Sequence, residues 1–276
     1  FMADTADGRL EIVDGAQRMN TLRAFLNNGL ALEGLETLKL INGCRFEGLP
    51  LSQQRKFKNQ TIRMVVLSDK TTEDAKLSIF ERINTGSDTL KKSELRKGAY
   101  SGPFYSLVDE LANNSDFVRL CPVTSRLAQR GERQELVLRY LAYSERYKEF
   151  KHDVANFLND YIKEKNTLFR ANPTLAKNER QMKQDAFANM LSFVKNNLAH
   201  GFSKNSKATT TPRVRFEAIA VGTQLALKEN PNLSPSDVSW VNSREFSKLT
   251  TTHGSNSAPR LRGRIEFVRD SLLTGA

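Results

Sequence analysis

Alternating apolar and polar positions near the start of the chain predict a short strand that ends in a turn. Residues 9–14 (RLEIVD) alternate and carry β-branched side chains near their end, and Asp14-Gly15 is a turn signal. From Gln17 onward, apolar residues recur at helical spacing, and Asn27-Asn28-Gly29 predicts where that helix ends. The expected order is therefore strand, turn and helix.

The segment that follows mixes strand-like and helical patterns. Short strand-like pieces lie at 38–41 and 44–46, and a polar helix is predicted over 51–60 with Ser52 as its cap. Residues 61–67 (TIRMVVL) form the best strand pattern after the first one. Strands and helices are thus expected to alternate in this part of the chain.

Helical spacing dominates the rest of the sequence. Thr72 is expected to cap a helix that runs through Ile83, a polar loop follows at 84–89, and Ser93 begins another helix. Beyond about residue 101 all elements are predicted to be helical, and residues 216–227 are apolar enough to form a buried centre.

This order predicts an α+β protein, since its strands and helices are segregated along the chain. We expect two domains, residues 1–100 with mixed elements and residues 101–276 with helices only.

Composition favours a globular protein that binds polyanions. The chain has 276 residues and a formal net charge of +11. Such a surplus suits DNA, RNA or a nucleotide, although a basic surface kept for solubility is the plainer alternative. No apolar run approaches the roughly 20 residues of a membrane helix, and no signal-peptide pattern is visible. We expect a cytoplasmic protein with no membrane partner.

Cysteine and histidine usage narrows the chemistry. Cys44 and Cys121 lie far apart without CxxC spacing, which argues against a zinc knuckle or a disulfide framework. The three histidines are scattered, whereas an HNH-type nuclease centre needs several His and Asn residues close in sequence. Nuclease activity is therefore not expected from this chain alone.

The turn at residues 14–18 (DGAQR) is the first candidate site. A helix that begins there directs free N–H groups outward, and Gly15 relaxes the backbone. Arg18 offers a planar fork for phosphate, Gln17 could orient a base, a ribose or a water, and Asp14 could hold Mg²⁺. On spacing alone, an ordinary turn with Asp14 as the helix cap and a solvated Arg18 explains the pattern equally simply.

The second candidate lies further along, at residues 80–86 (FERINTG), with Leu90 and Ser93-Glu94 after it. A compact polar loop at the end of a helix could bring Asn84 and Thr85 near the first turn. Taken alone, this pattern is equally typical of a helix C-cap.

Together the two motifs resemble the N-terminal domain of GmrSD-type modification-dependent restriction enzymes. That resemblance implies a ParB/sulfiredoxin-like fold, in which a related box after a strand binds nucleotide phosphate, in a bacterial phage-defence system. It carries over Asp14, Gln17 and Arg18 as catalytic residues, with Asp14 as a metal ligand. It also carries over a nucleotide-binding set comprising Gly15, Arg18, Asn84 and Thr85. Three later stretches, 135–140, 215–219 and 256–265, also resemble longer family members.

The resemblance implies an NTP with Mg²⁺ as cofactor, DNA and nucleotide as partners, and a separate nuclease subunit that would do the cutting. The chain departs from the family pattern in two ways. Ala16 stands where the usual motif has a second glutamine, which leaves open whether bound nucleotide is hydrolysed. The family's first strand and helix, which carry a Pro and a Gln-Arg pair, are expected to be missing, so that a wall of the pocket would be absent.

Two basic clusters predict contacts to the DNA backbone. The first spans a predicted linker at 201–212 and the residues after it, and the second opens the last helix. Their members are Lys204, Lys207, Arg213 and Arg215, and then Arg260, Arg262 and Arg264.

Three functional hypotheses follow from these features. The first is a nucleotide-responsive, DNA-associated restriction or defence domain that acts as a Mg-dependent NTPase. The second is a non-enzymatic DNA-binding or assembly protein with a degenerate motif. The third, ranked last, is a nuclease in its own right. For each basic cluster taken alone, a solvated helix end or linker is an equally simple explanation.

Overall fold

The chain divides into two compact units, residues 1–89 and residues 90–276. The structure, a computed structural model, describes residues 2–4, 9–12, 15–68, 71, 75, 79, 96, 100, 102–251 and 256–274. The domain boundary at residue 100, which was inferred from the sequence, stays a prediction.

A small mixed sheet organises the first unit. Its strands are β1 (Met2–Asp4), β2 (Leu10–Ile12) and β3 (Val66–Leu67), in the order β2-β1-β3. Strand β1 pairs antiparallel with β2 and parallel with β3. The predicted strand at 9–14 is confirmed at Leu10–Ile12, and the one at 61–67 is confirmed only over its last two residues. Strand β1 has three residues, too few to show an alternating pattern in the sequence.

Two helices of the first unit follow the predicted order. Helix α1 (Ala16–Leu26) begins after β2, and helix α2 (Leu51–Lys58) lies within the predicted range. The predicted Ser52 cap is wrong, because Pro50 occupies the cap position and makes no side-chain cap bond. The Gln54 side-chain amide instead donates to the Leu49 carbonyl at 2.8 Å, just before the helix.

The strands predicted at 38–41 and 44–46 are wrong. Short 3₁₀ helices form instead at Lys39–Ile41 and Phe46–Gly48. The Leu32 N–H donates to the Cys44 carbonyl at 2.9 Å, and the Gly43 N–H donates back to the Leu32 carbonyl at 2.6 Å. These bonds close a compact loop, and the described part of this segment pairs with no strand. Phe46 is buried in a local core against which Ile41 and Cys44 pack, whereas Leu38 and Leu40 are exposed.

That local core fixes one end of α1. Phe25, Phe46 and Phe57 meet edge to face, with ring centroids 5.4 to 5.9 Å apart, and Leu49 is buried beside them. Phe25 lies in the last turn of α1, so the aromatic cluster holds the C-terminal end of that helix. The turn that carries the first motif lies at its other end.

Ala75 and Ile79 near the end of the first unit, and Arg96 near the start of the second, are helical, in agreement with the helices predicted to run from Thr72 and from Ser93. The polar loop at 84–89 and the remainder of both helices lie outside the described residues.

The described part of the second unit is helical, as predicted. Its helices are α3 (Pro103–Ala112), α4 (Ser115–Leu120), α5 (Ser125–Gln129), α6 (Glu132–Arg146), α7 (Val154–Ala171), α8 (Pro173–Asn197), α9 (Arg213–Glu229), α10 (Arg244–Leu249) and α11 (Ala258–Thr274). In the described ranges, no helix combines the length and apolarity that a membrane span requires.

Helix α9 is the centre of the second unit, which confirms the buried segment predicted at 216–227. It packs against α6, α8 and α11, and its side chains are buried on nearly every side. A Cβ placed on Gly222 would lie 2.6 Å from the Cβ of Val268, so only glycine permits α9 and α11 to approach so closely. The backbones of α9 and α11 are therefore in close contact at Gly222.

Candidate functional site

The turn after β2 has the backbone that a phosphate site at a helix start requires. Gly15 has φ 96° and ψ 6°, a left-handed conformation that glycine adopts without a steric cost. Its carbonyl accepts the N–H of Met19 at 2.9 Å, the first hydrogen bond of α1. The N–H groups of residues 16–18 precede that bond and therefore lie at the positive end of the helix dipole.

Arg18 places its positive charge at the same end of α1. A Cβ built on Gly15 would lie 3.5 Å from an Arg18 Nη, so the guanidinium folds back beside the Gly15 backbone. The first turn of α1 contains no acidic residue. The side chains of Gln17 and Arg18 are exposed to solvent.

This arrangement suits an anion, because N–H donors, the helix dipole and a guanidinium converge on one end of a helix. Gly15, Gln17 and Arg18 are therefore brought together as predicted, although no ligand contact tests their assignment. None of the three supplies an anionic oxygen of the kind that Mg²⁺ prefers. Asp14 is the carboxylate of the motif, and it lies outside the described residues.

The second motif, at residues 80–86, lies outside the described residues. Asn84 and Thr85 lie outside the described residues, so their approach to the first turn stays a prediction. Within the described ranges, no group of three or more His, Cys, Asp or Glu residues is arranged to hold a metal ion.

The first basic cluster contains two exposed lysines and two arginines that form hydrogen bonds within the protein. Lys204 and Lys207 are exposed. The Arg213 guanidinium donates two bonds to the Glu132 carboxylate, at 2.6 and 2.5 Å. Arg215 is 5% exposed and donates to the carbonyls of Phe202 and Val241, both at 3.2 Å. Arg215 therefore serves the interior, and its placement on a DNA-facing surface is wrong because phosphate cannot reach it there.

The second cluster divides in the same way. Arg260 and Arg262 are exposed on the first turns of α11, where Arg262 donates to the Lys148 carbonyl. Arg264 is 1% exposed and pairs with Glu217. Its assignment to DNA binding is wrong for the same reason as that of Arg215. The exposed members of the two clusters are Lys204, Lys207, Arg260 and Arg262.

Arg264 belongs to a buried chain of ion pairs that ties the helices of the second unit together. The Glu217 carboxylate pairs with Arg264 and with Arg139, the latter at 2.5 Å. Arg139 also contacts Glu135 at 2.9 Å, and Glu135 pairs with Arg96. Every side chain in this chain of pairs is at most 9% exposed.

Glu135 is held in its charged form by its neighbours. Burial alone would raise its pKa, but the guanidiniums of Arg139 and Arg96 outweigh that effect and hold the pKa below its ordinary value. The five charges therefore act as one buried unit, in which each carboxylate satisfies two guanidiniums.

A signal for this network is present in the sequence. Glu135 and Arg139 are four residues apart in the apolar segment ELVLRY, and Glu217 interrupts the apolar start of α9. Charges inside apolar helices are rarely left unpaired, so they should be matched with one another before a surface role is assigned. Arg264 follows the same rule, since it stands beside the buried Ile265.

Comparison with known families gives a match at the front of the chain. No curated protein and no solved structure matches it significantly. Residues 1–101 match the family model described as the GmrSD restriction endonuclease, N-terminal domain, which confirms the resemblance carried by the two motifs.

Proposed function

We propose that this chain is a component of a restriction system of the GmrSD type, and that its first unit binds nucleotide phosphate at the Gly15–Arg18 turn. The observation that carries the proposal is the Arg18 guanidinium folded beside Gly15 at the start of α1, inside the segment that matches the family. Clustered positive charge at a helix N-terminus is the usual basis of phosphate binding in proteins.

Several finer features belong to the same proposal. The mixed sheet and the strand–turn–helix order from β2 to α1 support a ParB/sulfiredoxin-like first unit. In this reading Gln17 orients the bound nucleotide, and Asp14, Asn84 and Thr85 complete the pocket, with Mg²⁺ bound at Asp14. The name of the family supports DNA as the substrate of the system, with cleavage by a nuclease partner.

Calorimetric titration of the full chain with ATP, GTP and CTP in the presence of Mg²⁺ tests the nucleotide site. Arg18→Ala should weaken binding about tenfold or more, because it removes charge-assisted hydrogen bonds to phosphate. Arg23→Ala is the matched control, since Arg23 is exposed in the last turn of the same helix. It should bind nucleotide as the wild type does.

Equal nucleotide binding by Arg18→Ala and the wild type would contradict the site assignment. It would favour the alternative of a non-enzymatic DNA-binding or assembly protein, to which Ala16 in the second-glutamine position already points. That alternative predicts steeply salt-dependent DNA binding that nucleotide does not alter. If the wild-type chain binds nucleotide without hydrolysing it, Ala16 would account for the loss of hydrolysis and not of binding.

A further inference from the structure

Helix α2 carries an exposed basic surface that lies outside both sequence motifs and both basic clusters. Between Glu47 and Asp69 the sequence has four cations and no acid. These cations are Arg55, Lys56, Lys58 and Arg63, and all four are exposed. The stretch therefore concentrates positive charge on one short segment of the first unit.

The aromatic core of the first unit fixes the orientation of α2. Phe57 is partly buried on the inner face of this helix, with ring centroids 5.4 and 5.9 Å from Phe25 and Phe46. Gln54 lies three residues earlier on the same face, and its amide donates to the Leu49 carbonyl at 2.8 Å. Both contacts hold one face of α2 against the protein, so the opposite face is presented to solvent.

That opposite face is polar along its length. At about 3.6 residues per turn, Ser52, Arg55, Lys56 and Asn59 share one side of the helix, opposite Phe57. All four are exposed. The row offers two cations together with two hydrogen-bonding side chains, which are the residue types that contact phosphate oxygens in nucleic-acid complexes.

Neighbouring acids do not offset the charges of this surface. In the part of the chain that the structure describes, no ion pair or side-chain hydrogen bond involves Arg55, Lys56 or Arg63. The Lys58 ammonium lies 5.4 Å from the centroid of the Phe46 ring, a contact that leaves its positive charge in place. Several arginines at the surface of the second unit are, by contrast, paired with acids.

We propose that the exposed face of α2, with Arg63 after it, binds the phosphate backbone of duplex DNA. Charge complementarity carries the proposal, because DNA presents about one negative charge per 1.7 Å of its axis to four cations without acidic partners. The surface lies apart from the nucleotide site of the proposed function. The choice of DNA over another polyanion rests on the proposed restriction function, whereas binding of a polyanion does not.

An anionic membrane fits this surface less well than DNA does. A helix that lies on a membrane buries an apolar face in the lipid. In α2 that face is already occupied, because Phe57 packs in the aromatic core, and Leu51 is the only apolar residue that the helix exposes. DNA requires no apolar face, since its backbone is bound through charge and hydrogen bonds.

Fluorescence anisotropy of a labelled duplex DNA, titrated with the full chain between about 50 and 200 mM salt, tests this surface. The test chain carries Arg55→Gln and Lys56→Gln together. The charge-matched control carries Lys151→Gln and Lys177→Gln, which remove two exposed lysines of the second unit. Each control lysine has an acid two residues away in the sequence. Test and control therefore differ in the position of the lost charge and not in its amount.

The α2 double variant should bind DNA about tenfold more weakly at about 50 mM salt and show a salt slope reduced by about 1.8, twice the 0.9 expected for one phosphate contact. The deficit should nearly disappear at about 200 mM salt, because a fourfold rise in salt then reduces it about twelvefold. The control should bind as the wild type does. Asn59→Lys adds a cation to the same row and should tighten binding about threefold at low salt, a gain that a folding defect cannot produce.

Equal DNA binding by the α2 double variant and its control would overturn the proposal, because the position of the charge would then not matter. Sedimentation with vesicles of phosphatidylserine and phosphatidylcholine is measured on the same chains. Loss of vesicle binding with unchanged DNA binding would identify a membrane surface and overturn the proposal as well. Nucleotide binding by the α2 double variant should equal that of the wild type. If the wild type binds no nucleotide, the DNA titration still decides the role of α2, so the two proposals fail separately.

Discussion

Replacing Glu217 with glutamine is expected to destabilise the second unit strongly. Glu217 is 0% exposed, and its carboxylate pairs with both Arg139 and Arg264 inside the protein. Glutamine keeps nearly the same shape but removes the negative charge, so two buried guanidiniums lose their shared partner. Glu135 would remain to balance three buried arginines.

The size of the effect follows from the burial of the pair. Breaking a buried ion pair by neutralising one partner costs about 3–5 kcal/mol, because the remaining charge is left uncompensated. In a unit the size of residues 90–276, each kcal/mol lowers the unfolding midpoint by about 2–4 °C. Glu217→Gln should therefore lower the midpoint by roughly 6–20 °C.

Tryptophan fluorescence is the appropriate assay, because the chain has 1 tryptophan. Trp240 lies in the second unit and packs against Phe246 with ring centroids 5.4 Å apart, so its emission reports unfolding of that unit. Glu110→Gln is the matched control, since Glu110 is 47% exposed in its pair with Arg180. Exposed pairs contribute at most about 1 kcal/mol. Equal midpoints for the two variants would refute the reasoning, because burial would then not set the cost.

Two further predictions concern the titratable groups of the second unit and the accessibility of the thiols. The pKa of Glu135 is lowered in the folded state, so its contribution to stability is present above its unfolded-state value of about 4.3 and is lost progressively as the pH falls from that value through the folded-state pKa. Urea unfolding of Glu135→Gln should therefore differ from wild type less at pH 3 than at pH 7, and a constant difference would argue against this linkage. Burial raises the pKa of the Cys121 thiol to about 12 and Cys121 is 0% exposed, whereas Cys44 is only partly buried. Iodoacetamide should label Cys44 alone in the native chain and Cys121 only in denaturant, as mass spectrometry of the peptides would show.

Local patterns in the sequence predict an element correctly where the burial of one of its faces determines its structure. The strand at Leu10–Ile12 and helix α1 follow from alternation, a turn signal and helical spacing in immediate succession. The 3₁₀ helices at Lys39–Ile41 and Phe46–Gly48 could not be predicted in this way, because a short apolar run becomes a strand only if another strand pairs with it. Leu40 illustrates the limit, since it is apolar and yet 99% exposed.

The site residues show the same limit more sharply. Basic residues that are neighbours in sequence were assigned to one DNA-binding set, although Lys204 is exposed and Arg215 is buried. Spacing does not reveal burial, which for Arg215 is decided by carbonyls of Phe202 and Val241 that lie far apart in the chain.

The buried ion pairs and the exposed cations of the second unit should therefore affect different quantities when they are substituted. Loss of Glu217 removes an interaction that the unfolded chain lacks, so its cost should appear in the unfolding midpoint, and the fraction that remains folded should bind DNA as the wild type does. Loss of the exposed Lys204, which the sequence predicts to contact DNA, should leave the unfolding midpoint nearly unchanged and weaken DNA binding in proportion to the lost phosphate contact. If Glu217→Gln lowered DNA affinity at a temperature where the unit is fully folded, the buried chain of ion pairs would have to position the surface that binds DNA, and the division between structural and binding cations would fail.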